Sequence, residues 1–294
     1  MTALVNFIII AILGNISRKF VPKNTGDVLS TIIINFTLPM NVFLGIMSSS
    51  VDFSKFFFVL IGFIAGLLIF LVGNILIKFL KIQDKRISTV ILLSFCGLNI
   101  GLFMYPLAEM LWGIQSITYF ALYDLGNSFI IFGIGKSVAE GKGGKFRLFD
   151  VLKFPPFIAM IIAFALSWIG INIPTLILSP MIVIKEANNF LILYLVGFYF
   201  NILSIKTHKK ILTIAVVAKY SIGLIISLTT LLIPVNSQLE RISLFISPML
   251  PTAIMAIVYS VKNNYDSELA SSFVSITMLI SFIIIFAANA IMGF

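Results

Sequence analysis

Histidine and cysteine are almost missing from this chain: His208 and Cys96 stand alone among 294 residues. A single cysteine excludes an internal disulfide, and a single histidine excludes the clustered imidazoles of a hydrolytic metal centre. Neither HExxH nor GxSxG occurs, so an intramembrane enzyme is the least supported function class, and no metal or cofactor is expected. Cys96 reads as a small buried apolar residue and His208 as a solvated loop residue. Charge is scarce as well, at 11% of residues, with 11 acidic side chains against 20 basic ones. So little charge cannot cover a water-soluble globule of this size. What fills the chain instead is apolar: 60% of residues are hydrophobic and the mean hydropathy is +1.13.

A bilayer-spanning helix needs about 20 predominantly apolar residues. Charges and turn residues divide the chain into ten such runs, which predicts an all-α polytopic membrane protein with no soluble domain. The basic residues then report orientation rather than nucleic-acid binding. Arg18, Lys19 and Lys23 fall between runs one and two; Lys78, Lys81, Lys85 and Arg86 between three and four; Lys136, Lys142, Lys145, Arg147 and Lys153 between five and six. Lys206, Lys209 and Lys210 follow run seven, and Lys262 follows run nine. The other loops hold only Lys55, Lys185 and Arg241. The positive-inside rule places the crowded loops in the cytoplasm and both termini outside.

The first run, from Ala3 to about Ile16, lacks a basic n-region and a small-x-small cleavage site, so it is read as a tilted span rather than a signal peptide. Span two reaches about Met47 through Asn35, Thr37, Pro39 and Asn41, where the alternatives are a third interruption and a kink alone. Span three, Phe56 to about Leu80, is apolar until Asn74 and Lys78, which share one helical face; Lys78 is expected to snorkel. Span five, Ile117 to Gly135, holds Asp124 with Asn127 close by. An aspartate at mid-helix costs roughly 2.5–3.5 kcal/mol on insertion scales, so it should face the protein interior. Residues 139–153 form a basic linker whose GKGG does not satisfy the phosphate-loop pattern. Span six opens on Pro155 and Pro156, tolerated in a first turn. Span seven is placed at about Ala187 to Leu203, and span eight runs from Ile211 to Leu232 with Lys219 deep inside it. Lys219 either pairs with Asp124 or offers a positive site to an anion. Span ten starts with a small polar face of Ser271, Ser272, Ser275 and Thr277.

Two spans are interrupted. Span four, Ile87 to Ala108, contains NIGLFMYP (Asn99 to Pro106), and span nine, Ile242 to Val261, contains SPMLPT (Ser247 to Thr252). Proline removes a backbone donor and crowds the carbonyl four residues back, which predicts freed carbonyls at Leu102, Leu244 and Ser247. Freed polar groups at membrane depth must be buried in protein or line a cavity. Interrupted spans at corresponding places in two halves are the best pointer to a transporter's substrate site. Five spans precede the linker (1–138) and five follow it (154–294), so any common origin is an inverted repeat. A shift of half the chain superimposes Asn41 on Asn188, Gly101 on Pro248 and Asp124 on Ser271. The substrate candidates are Asn99, Gly101, Pro106, Pro248, Pro251 and Asn41; the coupling or charge-pair candidates are Asp124, Asn127, Lys219, Asn74 and Lys78.

The Leu38–Pro39 step, the Asn99-x-Gly101 with Pro106, the Asp124-x-x-Asn127 and the Pro248/Pro251 pair followed by Tyr259, in this order over the whole chain, resemble the auxin efflux carrier family, which includes plant PIN-type and bacterial malonate or organic-acid carriers. The resemblance implies ten transmembrane helices as a 5+5 inverted repeat similar to bile-acid sodium symporters. Helices four and nine would be broken and cross, with a scaffold domain and a transport domain that works as an elevator. It implies a carboxylate substrate held near the crossing, with Asn99 as its contact, and leaves a homodimer open. Plant members carry an acidic residue where this chain has Asn74, one turn before Lys78, which weakens a proton-linked role there. The expected function is secondary transport of a small organic anion, outward across the cell membrane. A sodium-coupled symporter and a channel are the alternatives, a proton or sodium is the candidate coupling ion, and nucleic acid is not an expected partner.

Overall fold

The computed structural model describes residues 2–22, 24–48, 53–142, 148–171, 173–199 and 208–292. The core of the basic linker, 143–147, and Lys206 therefore lie outside the described residues. The described chain is helical almost throughout. Its helices are α1 (Thr2–Ser17), α2 (Thr25–Ile32), α3 (Leu38–Met47), α4 (Phe57–Phe79), α5 (Lys85–Ser94), α6 (Tyr105–Trp112), α7 (Ser116–Ser128) and α8 (Lys136–Ala139). They continue with α9 (Leu148–Leu152), α10 (Pro155–Ile169), α11 (Thr175–Tyr199), α12 (Lys209–Thr230), α13 (Gln238–Ile246), α14 (Met255–Lys262) and α15 (Ser267–Met292).

Among the described residues, six helical stretches are long and apolar enough to cross a bilayer: Thr25–Met47, Ser54–Phe79, Ser116–Ala139, Thr175–Tyr199, Lys209–Thr230 and Ser267–Ile291. The chain is thus a polytopic membrane protein.

Prolines act here mainly as helix starters. Pro155 and Pro156 open α10 as expected, because a first-turn residue needs no amide donor. Pro39 sits in the first turn of α3, just after a π-helical stretch, Ile33–Thr37, in which the Leu38 amide reaches back to Ile33 O. The wider π turn carries the helix into the proline, so span two continues without a break. Pro106 repeats this arrangement: a π-helical stretch, Ile100–Met104, precedes it and α6 begins at Tyr105. The interruption expected over Asn99–Pro106 is therefore displaced towards the N-terminus: the helix is lost between Phe95 and Asn99, and the chain is helical again from Ile100.

Span seven also differs from expectation. Helix α11 starts at Thr175, so Lys185 and Glu186 lie inside a helix and not in a loop. Sequence alone ends a run at a charge, but here the charge has a partner: Lys185 Nζ donates to Glu109, whose other carboxylate oxygen accepts from Asn189 Nδ2 at 3.0 Å. Both side chains of the pair are only 15% exposed. Removing one member of such a pair strands the other. Lys185→Met should lower the melting temperature by several degrees and adding Glu109→Gln should recover part of the loss; a single variant that melts like the wild type contradicts this assignment.

The chain forms two compact units. One comprises Met1–Lys55, Gly101–Ala121 and Leu152–Tyr199, the other Phe56–Ile100, Leu122–Val151 and Phe200–Phe294. Each takes segments from both halves of the sequence. In the first unit α1 packs on α11 and α10 on α3. In the second, α4 packs on α5 and α12, and α15 on α5, α12 and α14.

Helix α4 shows how a nearly uniform apolar helix acquires a direction. Leu60, Ile64, Leu68, Leu71, Ile75 and Phe79 form an exposed stripe, while Gly62, Ala65, Gly66, Ile69 and Gly73 are buried. Where lipid is as apolar as leucine, close approach of small residues decides which face turns inward. A Cβ placed on Gly126 of α7 would lie 2.0 Å from Val59 O, so α4 and α7 touch backbone to backbone there.

Candidate functional site

The second unit contains a place where two interrupted helices meet through their main chains. After α5 ends, Gly97 takes φ +99° and the chain runs extended through Leu98 and Asn99. After α13, a single 3-10 turn, Ser247–Met249, carries Pro248, and Leu250 is extended with ψ 158°. The two extended pieces pair as an isolated antiparallel bridge between Leu98 and Thr252. Asn99 N donates to Pro251 O at 2.8 Å and Ala253 N to Gly97 O at 3.3 Å.

Side chains serve further backbone groups of both segments. Asn127 Oδ1 accepts from Leu98 N at 2.8 Å, and Asn127 Nδ2 donates to Leu98 O at 2.9 Å and to Asp124 Oδ1 at 2.8 Å. One buried amide thus stands in for a second strand. Thr252 Oγ1 donates to Ser94 O at 2.8 Å, and Thr252 N to Thr277 Oγ1 at 3.2 Å. Ser281 Oγ donates to Met249 O at 2.7 Å and Lys219 Nζ to Leu250 O at 2.7 Å. Tyr220 Oη donates to Thr277 O at 2.6 Å and also meets Ser281 Oγ. This arrangement satisfies the rule that unwound backbone inside a membrane protein must find partners.

One polar group at the bridge is left over. Asn99 is 4% exposed, and its Nδ2 has no hydrogen-bond partner. An unpaired buried amide costs about 1–3 kcal/mol, so its retention calls for a specific explanation. Helix α14 begins a few residues beyond the bridge, at Met255, and a helix N-terminus carries partial positive charge. The bridge thus joins the residue with the free amide donor to the segment that leads into such an end, an arrangement that suits an anionic oxygen.

The other candidate residues divide between the two units. Pro248, Pro251, Asp124, Asn127 and Lys219 share the second unit with Asn99, whereas Gly101, Pro106 and Asn41 belong to the first. Asn41 is fully buried in α3 with both side-chain polar atoms unpaired. One turn earlier Thr37 Oγ1 donates to Asn188 Oδ1 at 2.8 Å, and Asn188 Nδ2 is also unpaired. The first unit therefore has a polar cluster of its own. Asn74 bonds its own helix at Phe70 O, and Lys78 is exposed in the last turn of α4, as a snorkelling side chain would be. Lys219 does not pair with Asp124: the ammonium is on Leu250 O, and Asp124 Oδ1 accepts from Asn127. His208 lies beside Asp266, with Nε2 3.0 Å from the carboxylate, in a cleft of about 410 Å³ shared with Asp84 and Arg86 at the helix ends.

Ser94 and Ser281 carry no sequence signal of this role, Thr252 is marked only as the end of the SPMLPT stretch, and Thr277 only as part of a small polar face. Hydroxyls in apolar helices are usually absorbed by their own backbone, and nothing local distinguishes those that reach across to another helix.

No family model matches the chain. It is 27% identical over 293 residues to an uncharacterized transporter of Methanocaldococcus jannaschii, an alignment covering 95% of this chain and 94% of that protein. That likeness over nearly the full length, together with the apolar helices, supports a membrane transporter.

Proposed function

We propose that the protein is a secondary transporter for a small organic anion, a carboxylate, bound at the bridge between its two interrupted helices and moved by alternating access. The observation that carries this reading is the unpartnered Asn99 side-chain amide beside backbone groups that have found partners: Leu98 N and O, Met249 O, Leu250 O, Pro251 O and Thr252 N. A carboxylate oxygen would accept from Nδ2 and lie within the field of the α14 N-terminus. The second compact unit, which holds the whole bridge, would be the translocating body of an elevator, and the first its scaffold. The two halves of the sequence would be inverted repeats, a reading supported by the matching breaks and by Asn41 and Asn188, which correspond under the half-chain shift and are both buried. In a cell membrane with the basic loops inside, the potential favours outward movement of an anion by about 2.3 kcal/mol per charge per 100 mV, so export needs no coupled ion.

The test is labelled-carboxylate flux into and out of proteoliposomes. Wild-type flux should saturate with substrate, which a channel's would not do in the same range. Asn99→Ala should reduce flux at least tenfold, equivalent to about 1.4 kcal/mol of lost interaction. Because Nδ2 has no hydrogen-bond partner in the protein itself, the same variant should melt at or above the wild-type temperature when no carboxylate is added. Undiminished flux in Asn99→Ala removes the bridge as the binding site.

A further inference from the structure

We infer that the Lys219 ammonium is a tethered cation seated on a freed carbonyl of the second interrupted helix, Leu250 O, filling the place where a carrier with such a break would bind a free alkali cation. Lys219 lies near the middle of α12, ten residues from its first residue, and is fully buried, too deep to snorkel to a headgroup. Salt bridging does not account for it, since no carboxylate is paired with it among the described residues. Its partner is a backbone carbonyl, Leu250 O, between the two prolines of the break.

The neighbouring carbonyls extend the pattern. Met249 O takes the Ser281 hydroxyl, Leu250 O the Lys219 ammonium and Pro251 O the main-chain N–H of Asn99. Three consecutive carbonyls released from a helix are thus each met by a donor, and the only charged donor is the central one. Unwound carbonyls of broken membrane helices are the usual ligands of a coupling sodium ion, because carbonyl dipoles replace the hydration shell of a small cation. An ammonium presents the same unit charge with three donors. The Tyr220 ring, 5.1 Å from Nζ, adds its π face to the same environment. A fixed cation here also favours an anion bound at the bridge and makes binding independent of external sodium. This last step rests on the carrier reading.

The experiment uses the purified full-length chain without substrate, melted in sodium, potassium, methylammonium and N-methylglucamine chlorides at equal ionic strength. Wild type should melt at one temperature in all four. Lys219→Ala should melt several degrees lower in N-methylglucamine and recover with rising methylammonium or sodium, since a ligand of the folded state stabilises it by mass action. Lys219→Gln, which keeps a hydrogen-bond donor without the charge, should also melt below wild type; if the alanine variant does not fold, this comparison decides. Stabilisation of the wild type by sodium, equal melting of Lys219→Gln and wild type, or an alanine variant indifferent to all four cations overturns the inference. None of these readings involves cargo, so the inference can fail while Asn99-dependent flux stands, and the reverse.

Discussion

Replacing Asn127 by leucine is expected to lower the melting temperature by on the order of 10 °C, the largest single-residue effect outside proline insertion. The side chain serves both main-chain groups of Leu98 at 2.8 and 2.9 Å and is fully buried. Leucine would fill the volume while leaving a buried N–H and a buried C=O without partners. Each such group costs about 1–3 kcal/mol, and together about 2–6 kcal/mol. At about 2–4 °C per kcal/mol for large domains, the shift is several to twenty degrees or so. Asn127→Asp separates the contributions: it keeps an acceptor for Leu98 N, loses the donor to Leu98 O and sets a second carboxylate against Asp124. It should be at least as damaging near neutral pH and less so in acid, where a protonated carboxyl can donate and the like-charge repulsion disappears. Melting of Asn127→Leu within a degree of wild type would show that the amide does not hold the break.

Gly97→Ala is expected to cost about 2–4 kcal/mol, read from thermal melting in detergent. Two penalties coincide at this position. The backbone sits at φ +99°, where a side chain is strained, typically by about 1–3 kcal/mol. A Cβ there would also lie 2.2 Å from Ile131 Cγ1 and 3.1 Å from Asn127 Oδ1, which forces the neighbours to shift in a packed interior. The two contributions separate in a double-variant cycle. Ile131→Ala opens a cavity by itself, yet it should make the added Gly97→Ala cheaper by relieving the clash and leaving only the backbone term. Strict additivity of the two changes would mean that the clash is absent and that the bend after α5 is not locked as described.

The sequence announced the second interruption better than the first. Pro248 and Pro251, three residues apart, each withhold a backbone donor, and the α-helix gives way there to one 3-10 turn and an extended Leu250. The stretch Asn99–Pro106 overlaps the first break only at Asn99, since Pro106 is compatible with the first turn of a new helix and the chain leaves helical geometry at Phe95–Asn99. The signal for that earlier break is Gly97, a residue whose permissiveness is visible in sequence while its positive φ is not.

Asp124 and Asn127 were legible as a polar pair inside an apolar span, but as candidates for coupling. Their geometry gives Asn127 a backbone-holding role that depends on a residue 29 positions away. Lys219 was legible as a charge the bilayer would not accept unaided. Its partner was not, because a main-chain carbonyl belongs to every residue and no side-chain pattern marks the one set free. Lys185 failed for the opposite reason: its partner Glu109, 76 residues distant, makes a charge tolerable inside a helix that composition would have ended.

The most direct test of the central claim is ligand-induced melting of wild type and Asn99→Ala across a panel of small carboxylic acids. At least one acid should raise the wild-type melting temperature in a saturable way, and Asn99→Ala, no less stable without added acid, should lose that shift. An equal, saturable shift in both proteins would place the cargo elsewhere and contradict the claim that it is held where the two broken helices meet.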